Sequence, residues 1–119
     1  MRVLFLESAR PGFVGCDLQI ARTAAEAIAL LGEKQFDLAS LDHDLGGTQM
    51  AESDEQSGHH VAEAIASLPV GARPAVIVHS FNPVGAEKMM QTLVAGGVLC
   101  ARAAYGSNAY WKTVVSVSV

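Results

Sequence analysis

The stretch FDLASLDHDLGG, residues 36–47, decides how the rest of the chain is read. Its first half, FDLASL (36–41), is a short apolar run of the kind that forms a strand covered on both faces. Its second half sets two carboxylates and an imidazole, Asp42, His43 and Asp44, in consecutive positions directly behind that run. Ionisable groups at the end of a buried strand are costly unless a cation or hydrogen-bond partners meet them. A metal, a phosphoryl group, a proton or a simple turn would each account for them.

Comparable runs recur on both sides. RVLFL (2–6) reads as a first buried strand, DLQIA (17–21) as a weaker second, PAVIV (74–78) as the fourth and VLCARA (98–103) as the fifth. Segments of helical period separate most of them. In TAAEAIALLGEK, Thr23 and Glu26 make a capping-box pattern, Ile28 and Leu31 share a face, and Gly32 is the expected stop. SGHHVAEAIASL sets Val61, Ala64, Ile65 and Leu68 inward, with Pro69 beyond its end. Asn82 as N-cap and Pro83 at the first helical position open a helix in HSFNPVGAEKMMQTLVAGG.

Two connections differ. ARPGFVG, between strands one and two, is too short and broken for a full helix, and GGTQMAESDEQSG is a polar, acidic loop without a period of its own. The C-terminal SNAYWKTVVSVSV supports two patterns. Trp111, Val114 and Val115 fit one helical face, whereas Val115, Val117 and Val119 alternate with serines as in a strand; a short helix is the preferred reading. Strands alternating with helices predict an α/β fold with a five-stranded parallel sheet, one domain over residues 1–119, its first helix short or missing.

Composition narrows the class. With 119 residues the chain holds one core, and half of its residues are hydrophobic against 17% charged, which argues against disorder. The net charge of −4 and scattered Lys and Arg leave no basic stripe for long nucleic acid, while a small phosphate-bearing ligand needs only one or two arginines. The apolar runs are too short to span a bilayer and the N-terminus does not read as a signal peptide, so a soluble cytoplasmic protein with no membrane partner is expected. Cys16 and Cys100 lie far apart among apolar neighbours and read as two reduced thiols.

In open parallel sheets the ligand site lies outside the carboxyl ends of the strands. The polar groups of this chain collect there: Glu7 and Ser8 after strand one, Asp42 to Asp44 after strand three, His79 and Ser80 after strand four, and Arg102 late in strand five. The expected result is one acidic cleft containing imidazole.

At these positions the chain resembles known proteins. DLASLD, ending at Asp42, looks like the phosphoacceptor strand of response-regulator receiver domains, and PAVIVHS resembles their fourth strand. The pair LDHDLG (41–46) and HSFNPVG (79–85), with Arg10-Pro11 after strand one, is closer to a divergent relative, the cyclic-phosphate-processing receiver-like family. The resemblance implies a flavodoxin-like, three-layer α/β/α fold and a phosphoesterase-like domain, a phosphoric-ester hydrolase acting on a small cyclic phosphate or nucleotide.

Three departures from ordinary receivers stand out. Glu7-Ser8 leaves one carboxylate where receivers carry an acidic pair, Arg102 stands where they carry lysine, and the first crossover is short. Arginine is not an equivalent point charge. Phosphotransfer to Asp42 therefore ranks below hydrolysis, and below a non-enzymatic receiver-like signalling or binding module for a phosphorylated ligand or partner.

Each candidate residue has a plainer alternative. Asp42, Asp44 and Glu7 suit a divalent cation such as Mg²⁺ or Mn²⁺, or one carboxylate acts as general base, or Asp42 and Asp44 form a turn. His79 and His43 are an acid/base pair for phosphoester hydrolysis, ligands for a softer metal such as Zn²⁺, or structural. Ser80, Asn82 and the helix starting at Pro83 make an anion cradle, with Arg10 and Arg102 as phosphate-binding cations or as structural ion-pair partners. His59 and His60 read as a solvated helix start, Met89 and Met90 as helix packing. Tyr105, Tyr110 and Trp111 read as packing of the last element onto the sheet rather than as a stacking platform for a base.

Overall fold

The computed structural model describes residues 1–6, 15–42, 58–79 and 82–118. Five strands form one parallel sheet: β1 (Arg2–Leu6), β2 (Asp17–Ala21), β3 (Leu38–Leu41), β4 (Ala75–Val78) and β5 (Cys100–Arg102), in the order β2-β1-β3-β4-β5. Helices α1 (Ala24–Glu33), α2 (Gly58–Ala66), α3 (Pro83–Ala95) and α4 (Asn108–Ser118) complete the described elements, with a short 3₁₀ turn at Val70–Ala72. This is the flavodoxin-like order, and the three-layer α/β/α expectation holds.

The pleat sorts the strand residues into two cores. Leu4, Leu6, Ala39, Leu41, Val76 and Val78 meet the buried sides of α1, α2 and α3, including Leu31, Ile65 and Leu93. Val3, Leu38 and Ile77 face the other way, against Tyr110 and Val114 of α4. Both faces of β3 are thus covered, which is why LASL is buried throughout and free of charge.

Helix termini follow the capping chemistry of the sequence. Thr23 Oγ1 accepts from the Glu26 N–H at 3.1 Å, while the Glu26 carboxylate accepts from the Arg22 N–H, one residue earlier than a reciprocal capping box requires. Gly32 does not stop α1: the helix runs through it to Glu33, and the Lys34 N–H closes the last turn on the Leu30 carbonyl. At the end of α3, Gly97 takes a φ of +76°, so that its N–H reaches Val94 O and the Val98 N–H reaches Leu93 O. This is a Schellman closure, for which glycine is the least strained residue.

Two face assignments are corrected. In α2 the fully buried alanine is Ala62, whereas Ala64 is half-buried, because Val61, Ala62 and Ile65 define the stripe. The last element is a helix as preferred, yet its inward face is Tyr110 and Val114, and Val115 is exposed. The expected short or missing first helix falls on residues 7–14, and the acidic loop on 46–57, both outside the described residues. Among the described residues no helix is long and apolar enough to cross a membrane, and both cysteines are half-buried.

Candidate functional site at the carboxyl ends of β3 and β4

The register places two of the candidate residues side by side. Leu41 of β3 pairs with Val78 of β4 as the last rung, and the next residues are Asp42 and His79. The His79 N–H continues the ladder by donating to Leu41 O at 2.9 Å, so the chain beyond β4 stays tied to β3. Asp42 is 9% exposed and His79 is 2% exposed, burial that an acid and an imidazole tolerate only with polar company.

For His79 that company comes from inside the sheet. Ser40 is the polar residue within the LASL strand, and it shares the α4 face with Leu38. Its Oγ lies 2.7 Å from His79 Nδ1 and 2.6 Å from the Tyr110 hydroxyl of α4. Phe5 of β1 stacks on the imidazole, with ring centroids 5.2 Å apart and planes within 14°. Tyr110 meets the same ring edge-on at 6.2 Å, and Tyr105 meets Phe5 edge-on at 5.3 Å. The imidazole is therefore held in its plane by aromatic faces and in its rotation by a hydroxyl. Burial pushes the Tyr110 phenol above its ordinary range, the Ser40 hydrogen bond opposing the shift only in part.

Asn82, 4% exposed, caps α3: its Oδ1 accepts from the Gly85 N–H at 3.1 Å, and its carbonyl accepts from the Ala86 N–H at 2.8 Å. Pro83 follows at the first helical position. The helix cap thus follows His79 by three residues, with the positive dipole end at the same end of the sheet although α3 covers the face opposite the His79 ring. Arg102 closes β5 as the partner of Val78 and is exposed. It shares the row of Val78, while His79 packs toward α4 on the opposite face.

The structure brings Asp42, His79 and Asn82 to one end of the sheet. Glu7, Ser8, Arg10, His43, Asp44 and Ser80 lie outside the described residues. Among the described residues no three His, Cys, Asp or Glu side chains are grouped to hold a metal ion, so this part of the site does not by itself make a metal centre. The two helical histidines behave as structural groups. His59 Nε2 lies 2.8 Å from Thr92 Oγ1 and joins α2 to α3, and both His59 and His60 face Glu63.

Sequence reasoning passed over Ser40 and assigned Tyr110 to packing alone. The signal was present for Ser40, since a hydroxyl in a strand covered on both faces must find a buried partner. For Tyr110 there was none, because its partner lies 70 positions away in the chain.

Among the solved structures similar to this one, three receiver domains match over nearly the whole chain. A CheY-like response regulator receiver domain from Methanospirillum hungatei matches with a TM-score of 0.69 and 18% identity, covering 98% of this chain and 93% of that one. The receiver domain of a sensor histidine kinase from Pseudomonas aeruginosa, with a magnesium ion coordinated in its active site cleft, gives 0.65 and 13%, covering 99% and 98%. A Francisella response regulator receiver domain gives 0.63 and 14%, covering 98% and 93%. At such identities the likeness establishes the receiver fold. No curated protein sequence matches. A family model does, across residues 2–95, which take in both the β3 and the β4 motifs and Asn82. On that match the chain belongs to the cyclic-phosphate processing receiver domain family.

Proposed function

We propose that this chain binds a small cyclic phosphate or nucleotide at the carboxyl ends of β3 and β4 and hydrolyses it. The observation that carries this reading is a locked imidazole, His79, on the strand end next to Asp42, with helix α3 opening at Asn82. An amino-terminal helix end and an amide side chain favour a phosphate, and a positioned imidazole beside a carboxylate suits proton transfer at a phosphoester. The family's description as cyclic-phosphate processing supports the substrate class.

In this account the phosphate rests against Ser80, Asn82 and the start of α3, with Arg10 or Arg102 supplying a bidentate cation. Asp42 orients the attacking water, and His79 or His43 protonates the departing oxygen. Asp42 with Glu7 and Asp44 is the proposed carboxylate set for a divalent cation (Mg²⁺, Mn²⁺ or Zn²⁺), which when bound would draw charge off the phosphate.

The burial of His79 favours a second reading. An imidazole 2% exposed and fixed by Ser40 is also what a non-enzymatic module uses to recognise a phosphorylated ligand or partner. The two readings part on turnover. Wild type, His79→Ala and Asp42→Asn are incubated with 2′,3′-cyclic, 3′,5′-cyclic and linear nucleotides, with Mg²⁺, Mn²⁺ or Zn²⁺ and with EDTA. Hydrolysis by wild type that falls at least ~100-fold in both variants supports the enzyme. Binding without hydrolysis supports the recognition module, and neither binding nor hydrolysis removes the phosphate site.

A further inference from the structure

Tyr110, Ser40 and His79 form a continuous buried run of polar side chains, with Ser40 Oγ 2.6 Å from the Tyr110 hydroxyl and 2.7 Å from His79 Nδ1. The two contacts are not independent. A serine hydroxyl has one proton, so if it donates to the imidazole it accepts from the tyrosine. If the imidazole donates to Ser40, the serine proton turns to Tyr110 instead.

Acid–base chemistry orders the run. Of the three groups the phenol is the most acidic donor and the neutral imidazole nitrogen the most basic acceptor. Both bonds are strongest when the protons point from Tyr110 towards His79. The phenol also keeps its proton at neutral pH, because burial raises it above its ordinary range. The ring cannot swing away to choose another arrangement, since Phe5 lies stacked on it within 14° and Tyr110 meets its edge.

We propose that Ser40 and Tyr110 are positioning residues that fix His79 as its Nε2–H tautomer, the Tyr110 hydroxyl donating to Ser40 Oγ and the Ser40 hydroxyl donating to Nδ1. A neutral His79 of this form gives a hydrogen bond from Nε2 and cannot take a proton there. Resting on the phosphate-site reading above, this makes neutral His79 a hydrogen-bond donor to a phosphate oxygen and leaves both the base and the acid that protonates the departing oxygen to other groups, His43 being the candidate for the acid. Tyr110 lies on α4, beyond residues 2–95, so the C-terminal helix contributes to the site from outside the segment that the family model matches.

The test reads the ring directly. The full chain, ¹⁵N-labelled at histidine, is studied by long-range ¹H–¹⁵N correlation at a pH alkaline enough to keep imidazole neutral. A protonated Nε2 and a hydrogen-bonded, unprotonated Nδ1 are expected for His79. A protonated Nδ1 overturns the proposal. Ser40→Ala is expected to move the Nδ1 signal towards that of free imidazole and to mix the tautomers. Ser40→Thr, which keeps the hydroxyl, retains the wild-type pattern, and Tyr110→Phe falls between them. A wild-type pattern in Ser40→Ala also overturns the proposal. Titrating the same samples with 2′,3′-cyclic AMP separates the two claims: the expected tautomer without any binding upholds the positioning role and removes the phosphate-site reading alone.

Discussion

Ser40 and His79 are joined side chain to side chain across the β3–β4 pair, Oγ to Nδ1 at 2.7 Å, although 39 positions separate them in the chain. Ser40 belongs to the strand and His79 to the residue just past its neighbour, so a core residue holds a site residue in place.

The stability of this arrangement is measurable at Tyr110. Tyr110→Phe removes one buried hydrogen bond and leaves the Ser40 hydroxyl one partner short, a loss of about 1–2 kcal/mol in urea unfolding. The phenol's folded pKa lies above its ordinary value of 10.0, so its contribution is fully present below that pH and is lost as pH rises through the folded value. Wild-type stability should therefore fall more steeply than that of Tyr110→Phe on the alkaline limb. Parallel curves would mean that burial of this hydroxyl carries no such linkage.

Arg73 ties two helix ends together. Its guanidinium donates to Leu68 O at 2.9 Å, Ala66 O at 2.9 Å and Gly96 O at 2.6 Å, satisfying carbonyls that the ends of α2 and α3 leave open. Arg73→Met should cost about 2–3 kcal/mol by chemical denaturation. Arg73→Lys should recover only part of that, since an ammonium lacks the planar fork. Full recovery by lysine would show that charge alone suffices.

The same junction demands a small residue at Gly96. A Cβ there would stand 2.8 Å from the Ala66 Cβ. Gly96→Ala should destabilise by about 1–3 kcal/mol through overpacking. Ala66→Gly, costly alone, should relieve part of that loss, giving a non-additive double-mutant cycle. Strict additivity would place the cost of Gly96→Ala elsewhere.

On the surface, Arg2 holds Asp17 through a 2.9 Å ion pair at the start of the β1–β2 ladder. That hydrogen bond, aided by Gln19, lowers the Asp17 carboxyl below its ordinary value of 3.8. A depressed folded pKa gives stability that is present above the unfolded value and lost as pH falls through the folded one. Thermal melts of wild type and Asp17→Asn should differ slightly at neutral pH and converge at the acid end of the scale. A gap that widens with acid would reverse the assignment.

How much was legible follows from where the information lies. Apolar runs located β1, β3 and β4 to within a residue or two because these strands are almost wholly buried, whereas β2, an edge strand with exposed Asp17 and Ile20, was marked by the Thr23 cap that follows it. The strand-end rule then put Asp42 and His79 together, and the register confirms that they follow paired residues. The inward face of α4 was misjudged at Val115 because its serine-valine alternation blurs the period, and only packing against Val3 and Ile77 selects Tyr110 and Val114. Gly32 misled because a glycine near a helix end signals a stop only when the chain needs a positive φ there, and this one does not take it.

The most direct measurement of the central claim is a ¹H–¹⁵N titration of the full chain with 2′,3′-cyclic AMP, read residue by residue. If the carboxyl ends of β3 and β4 are the phosphate site, the amides of Asp42 and His79 and those of Asn82, Gly85 and Ala86 at the start of α3 shift together and saturably, and Asp42→Asn or His79→Ala weakens the response. Shifts centred on another surface, or none from a folded protein, would contradict the account.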